Sequence, residues 1–257
     1  DRPYQTDYRN SVWNCGILPV YRQQLYSVYG EYKSTAREFF ATVNLTHNRE
    51  WYNRIYEQRI ENGQVQRVSL PLSNHGSGYT VKSTLSKGFY DLGLKTSLMA
   101  LLNISKAEQI SGGQRLPYQY RLMRLEPKVI WTPNRHWETS YQTDIRYGGS
   151  KIGERTRLAP LWNVIQQVQL SYIFSPIEAS LSVDHYHNDV NEDQSVNAVF
   201  ADFSVSWKSG RWQITATATN LFDKRTYGYT RYASLESYTS WVRIRPREFL
   251  VAIRYQL

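Results

Sequence analysis

His185 and His187 lie two apart, with Asp189, Glu192 and Asp193 just beyond them. Imidazole and carboxylate at short spacing is the donor chemistry of a divalent-metal site. In an extended segment, residues two apart point to the same side, so both rings would share the outward face of a strand at its loop end. That placement suits solvated rim residues better than ligands, and no metal is assigned. Asp189, Glu192 and Asp193 lack the glycine and the regular spacing of a calcium loop. A second group is Thr226-Tyr227-Gly228-Tyr229-Thr230-Arg231-Tyr232. Amphipathic rings beside one cation suit stacking on a sugar, a chelate or a peptide, so Tyr227, Tyr229, Arg231 and Tyr232 are the candidate ligand contacts. A loop packed on its own neighbours would have the same composition. No nucleophile elbow, P-loop or HExxH occurs, and nothing pairs a serine with a histidine and an aspartate. No enzyme and no cofactor is expected.

Both groups must be positioned by strands. The last eleven residues, Arg247 to Leu257, place Phe249, Val251, Ile253, Tyr255 and Leu257 on one face and Glu248, Leu250, Ala252, Arg254 and Gln256 on the other. The same period of two recurs through Tyr26–Tyr32, Phe39–Leu45, Tyr79–Leu85, Leu92–Ile104, Met123–Trp131, Trp137–Tyr147, Trp162–Phe174, Ile177–Val183, Val199–Trp207 and Trp212–Ala218. Pro127 interrupts its segment and predicts an edge, a bulge or a strand end there. No stripe of helical period survives three turns. Connections near Lys33, Lys87, Thr132, Ser175 and Lys208 read as short. Those around Gly63, Gly112, Gly153, Asn191 and Tyr229 read as long. Such alternation belongs to an outer-membrane barrel, with short periplasmic turns and long outer loops.

Composition agrees. The chain has 257 residues, 41% of them hydrophobic, with 21 Tyr, 8 Trp and 8 Phe. Mean hydropathy is −0.58, and no run approaches the roughly 18 apolar residues of a membrane helix. A membrane barrel needs only half-apolar strands. Trp131, Trp137, Tyr172, Phe174, Trp207 and Trp212 sit at stripe ends beside the short turns, where an interfacial girdle belongs. The net charge of +9 is scattered, with no basic cluster or recognition helix to suggest nucleic acid. It suits anionic lipid head groups instead. Cys15 is the only cysteine, which excludes an internal disulfide. Asp1-Arg2-Pro3-Tyr4 does not begin a signal peptide, so any export signal is expected upstream.

The fold class expected is therefore all-β, an antiparallel up-and-down transmembrane β-barrel with about 10–12 strands in this chain. About eleven are counted, and single-chain bacterial barrels have even numbers. Residues 1–257 are expected to be the carboxy-terminal part of a larger barrel, with strands missing upstream. The final strand should then pair outside this chain rather than with Tyr21 to Tyr32.

Particular residues also resemble a family. Asn220-Leu221-Phe222-Asp223-Lys224 is similar to the N-L-F-[DN]-K element before the last strand of TonB-dependent outer-membrane receptors. Arg245-Pro246-Arg247-Glu248-Phe249-Leu250 resembles the start of that strand in receptors of the Bacteroidetes type, and Leu85-Ser86-Lys87-Gly88-Phe89 resembles another of their turns. The resemblance implies a barrel of about 22 strands in the outer membrane of a Gram-negative bacterium, with a plug domain and TonB box that this sequence does not contain. It implies capture of a nutrient (a glycan, peptide or metal chelate) for energised import. Its partners would be outer-membrane lipid, plug, TonB complex, the small ligand and a surface lipoprotein. Leu257 departs from the family's usual aromatic last residue. Two other readings stand beside it: a small self-contained outer-membrane pore or enzyme, and a soluble β-rich binding protein.

Overall fold

The computed structural model describes residues 4–6, 10–14, 16–61, 64–153, 156–157, 160–190, 193–233 and 236–256; the side chains of 58, 60, 61, 64, 65, 111, 156, 157, 231–233 and 236–238 lie outside the description. Its strands, in chain order, are β1 (Tyr4–Gln5), β2 (Asn10–Trp13), β3 (Tyr21–Ser34), β4 (Phe39–Tyr52), β5 (Ile55–Glu61), β6 (Gln64–Leu70), β7 (Asn74–Phe89), β8 (Leu94–Ser111), β9 (Gln114–Asn134), β10 (Trp137–Ile152), β11 (Thr156–Arg157), β12 (Leu161–Phe174), β13 (Ile177–Asp189), β14 (Ser195–Ser209), β15 (Trp212–Thr219), β16 (Thr226–Ala233), β17 (Glu236–Arg243) and β18 (Glu248–Tyr255). The one helical element among the described residues is a 3-10 turn, Tyr90–Leu92. Among the described residues no helix is long and apolar enough to cross a membrane.

Eleven strands make one antiparallel meander in the order β3-β4-β7-β8-β9-β10-β12-β13-β14-β15-β18. Among the described residues β3 pairs only with β4, and β18 only with β15. The last strand therefore does not close onto Tyr21–Tyr32, and the sheet is an open arc.

One end of the arc carries tight turns. These are Thr35–Glu38, Tyr90–Gly93, Arg135–His136, Ser175–Pro176 and Gly210–Arg211. Gly93 holds φ +59°, and a Cβ there would fall 2.1 Å from the Thr132 carbonyl oxygen, so this turn needs glycine. The other end carries the longer excursions, as the sequence predicts, with two differences. Around Gly112 there is no long loop: β8 and β9 run on into a two-residue Gly112–Gly113 turn with both φ positive, the conformation of a tight hairpin. The Tyr-rich segment is not a loop either, because β16 and β17 pair as a separate hairpin from Thr226↔Arg243 to Ala233↔Glu236.

Pro127 also departs from expectation. It lies inside β9, paired with Leu98 of β8. The β9–β10 pairing is interrupted opposite it, between Lys128↔Gln142 and Leu125↔Ile145, without a change of register. A residue with no N–H can sit inside a sheet if the ladder gives up contacts on one side.

The two faces of the arc differ as the alternation requires. Inner rows are polar: Arg124 donates to both Asp144 oxygens at 3.0 and 2.9 Å, with Arg146 on the same carboxylate and Glu126 paired to Arg124. Ser27 with Asn44, Asn103 with Thr80, and Ser180 with Ser204 continue that face. The opposite face is apolar and uncovered: Leu45, Leu85, Leu98, Leu102, Phe203 and Ile253 are all exposed. A soluble sandwich would bury that face against a second sheet.

Two aromatic rows bound this outer face. The row beside the tight turns includes Trp131, Trp137, Tyr172, Trp207, Trp212 and Tyr255, with Trp137–Tyr172 and Trp212–Tyr255 centroids 4.6 and 4.8 Å apart. The second row lies toward the longer connections. There Tyr26, His47 and Tyr79 stack across three strands, and Tyr147 meets Trp162 at 4.7 Å. Trp137 to Tyr147, Trp162 to Tyr172 and Tyr79 to Phe89 are each separated by about ten residues of strand, or about 33 Å along the chain. At the tilt usual for outer-membrane strands this projects to about 25 Å, the height of their apolar band.

Candidate functional site

The connection from β15 to β18 is where the sequence-derived ligand contacts lie, and its base is built by Asn220 and Asp223. Both adopt left-handed φ, +50° and +51°, a region where asparagine and aspartate are tolerated because their short side chains bond locally. The Asn220 backbone N–H donates to Asp202 Oδ1 at 2.7 Å. Its side-chain amide donates to the carbonyls of Lys224 and Arg245, each at 2.8 Å, and its Oδ1 accepts the Lys224 N–H. Asp223 accepts the Arg247 N–H at 2.9 Å and pairs with Arg225 at 2.9 Å. The two strands of the connection are thus tied together at its neck. The Arg247 N–H, then the Arg225 guanidinium, hold the Asp223 carboxyl below the usual carboxylate range.

From that neck the β16–β17 hairpin folds over the arc and packs against β13 and β14. The contact is aromatic. Tyr186 of β13 and Phe200 of β14 lie on the inner face, in register with Asp184 and Asn188 and with Ala198 and Asp202. Tyr227 meets Tyr186 edge-on at 5.2 Å and Phe200 at 6.5 Å, and Tyr186 meets Phe200 at 5.7 Å. Asn188, 3% exposed, donates to the Tyr227 hydroxyl at 2.5 Å. Burial pushes the Tyr227 phenol above its ordinary value, and the Asn188 amide pulls the other way. Tyr229 follows at 6.1 Å from Tyr227.

Of the four candidate contacts, Tyr227 is brought to the inner wall and Tyr229 lies beside it on the same hairpin strand. Arg231 and Tyr232 pair through their backbones with Tyr238 and Ser237, while their side chains lie outside the described residues. Tyr186, Phe200 and Asn188 escaped sequence reasoning. The available signal was two large rings on the strand face that also carries Asp184, Asn188 and Asp202. Chemically the arrangement offers a stack of amphipathic rings with hydroxyl and amide groups at the mouth of a polar wall. It contains no nucleophile–base pair.

The histidine and carboxylate group does not assemble a donor set. His185 and His187 point to the outer face beside Val199 and Asn197. His187 contacts Asn197 Oδ1 at 2.9 Å through Nδ1 and lies 3.3 Å from Asp189 through Nε2. Asp189 also accepts the Trp162 N–H at 2.8 Å. Glu192 lies outside the described residues, and among the described residues no three His, Cys, Asp or Glu side chains converge.

No protein-family model matches the chain, and no curated protein does. Among solved structures the chain is similar to the ferric yersiniabactin uptake receptor FyuA from Yersinia pestis, at 8% identity and a TM-score of 0.41. The alignment covers 92% of this chain and 43% of that one, so the chain spans less than half of that receptor's length.

Proposed function

We propose that this chain is the carboxy-terminal barrel portion of a TonB-dependent outer-membrane receptor, which captures a nutrient at the cell surface for energised import. The observation that carries the reading is the polarity of the two free edges. β3 and β18 both run from the long-connection end to the tight-turn end. Closing them on each other would make a parallel pair in an otherwise antiparallel wall. Antiparallel closure needs an odd number of further strands, which makes the total even, as in single-chain bacterial barrels. In lipid, the unpaired N–H and C=O groups of both edges would each cost several kcal/mol, so partner strands are required. Val28 at 67% exposure and Phe249 at 74% show how open those edges are.

In this reading the outer face, with its two aromatic rows, meets lipid. The polar inner face surrounds a plug supplied from outside residues 1–257, and TonB acts on that plug. Tyr227 and Tyr229, with Tyr186 and Phe200 behind them, form part of the ligand's entry surface. Such rings suit a glycan, a peptide or a metal chelate.

The test is made on the native product in outer-membrane fractions. A heat-modifiable protein much larger than the 30.2 kDa of this chain, whose uptake of a ligand from a glycan, peptide and ferric-chelate panel stops when TonB is deleted, is expected. A product of 30.2 kDa, or one monodisperse without detergent, overturns the proposal.

A further inference from the structure

Above the upper aromatic row, the outer face turns basic in one sector. The row Tyr26, His47, Tyr79 continues across the sheet through Ile104 to Arg121 and Gly149. The next row, two residues further along each strand, reads Arg49, Ser77, Lys106, Gln119 and Lys151. Lys106 and Lys151 are separated by two strand spacings, about 10 Å, with Arg121 below and between them. Lys106 and Lys151 also line a cleft of about 310 Å³, together with His75, Ser77 and Gln119. Glu108 borders the cleft, but its carboxylate is held by Arg115 at 2.9 Å. Among the described residues Lys106, Arg121 and Lys151 have no ion-pair partner.

We propose that Lys106, Arg121 and Lys151 bind the phosphate of an anionic membrane lipid, with Gln119 as a neutral donor between the two lysines and Ser77 beside Lys106. The inference rests on the reading that the apolar face lies in lipid. Directly below the cations, Ile104, Leu102 and Met123 present apolar surface to the acyl chains of the same molecule. That continuity, from apolar band through aromatic row to cations, fits a lipid better than a free anion. Long basic side chains at this height extend along the wall and raise their charges to the head-group layer.

The experiment uses the native polypeptide in dodecyl maltoside and native mass spectrometry with phosphatidylglycerol, phosphatidylcholine or inorganic phosphate. It compares the parent protein with the triple variant K106Q/R121Q/K151Q. A charge-matched control, K82Q/K95Q/K128Q, removes cations of the inner face. Each cation near a charged surface is worth about fivefold, so the first triple variant should bind phosphatidylglycerol about a hundredfold more weakly. The control should bind it like the parent, and the parent should discriminate against phosphatidylcholine. Equal binding by the triple variant, equal retention of phosphatidylcholine, or displacement of the lipid by equimolar inorganic phosphate overturns the lipid site. A protein that is monodisperse without detergent and retains neither lipid overturns the membrane reading itself.

Discussion

Asn188 donates its side-chain amide to the Tyr227 hydroxyl across 2.5 Å, joining a wall strand to a hairpin 39 residues further along the chain. The donor is nearly fully buried. Removing the acceptor oxygen while keeping the ring leaves a buried amide unsatisfied, at a cost of about 1–3 kcal/mol. Y227F should therefore raise hydrogen exchange in β16 and β17 by about tenfold, leaving β13 protected. Unchanged exchange would show that the ring contacts alone hold the hairpin.

The neck of the same connection should loosen in acid. Asp223 has its carboxyl depressed in the folded state, so its contribution is present above its unfolded value near 4 and is lost as pH falls through the lower folded value. Limited proteolysis between Lys224 and Arg245 should accelerate below about pH 4. D223N should cleave at nearly the same rate across that window. If D223N retains the pH dependence, another group is responsible.

Gly228 lies against the Trp241 ring, and a Cβ at that position would stand 2.7 Å from it. G228A should destabilise the hairpin by about 1–3 kcal/mol through overpacking. Because W241A removes the obstructing ring, the double variant G228A/W241A should lose less than the sum of the two single changes. Additive losses, read by hydrogen exchange, would place the strain elsewhere.

The two faces should respond oppositely to charge. Leu98 lies in the middle of the outer band and Ser97 is its inward neighbour. L98R should cost about 2–4 kcal/mol of stability in lipid vesicles, whereas S97R should cost less than about 1. Comparable losses from both variants would contradict a lipid-facing outer wall.

Asp144 is shared by Arg124 and Arg146, and Arg124 retains Glu126 as a second partner. D144A should thus destabilise more than R124Q, because it leaves Arg146 without its acid while R124Q leaves the Asp144–Arg146 pair intact. The difference should be about 1 kcal/mol at these partly exposed positions. A denaturant titration in detergent that ranks R124Q as the worse variant would refute this.

Strand positions and faces were legible because alternation is local. Trp137 to Tyr147 needs only its own residues to show which side is apolar, and the six aromatics beside the tight turns could be found the same way. The upper aromatic row was less visible, since His47 joins it only by stacking between Tyr26 and Tyr79 of neighbouring strands. Pro127 illustrates the same limit of local pattern: whether a missing N–H is tolerated inside a strand depends on the ladder opposite it. Glycines at 112 and 113 mark a turn in sequence, but the length of the strands they join is a matter of pairing.

By itself, the sequence determined that this chain is a set of two-faced strands with tight turns at one end, and with a ring-rich segment before the last strand. Those properties follow from residue types within a few positions of each other. Tertiary structure alone decided that the ring-rich segment folds back as a hairpin onto Tyr186 and Phe200, and that β8 and β9 stay paired right up to the Gly112–Gly113 turn. Both depend on contacts between different strands, where pairing registers and the curvature of the whole sheet, rather than local periodicity, set which groups meet.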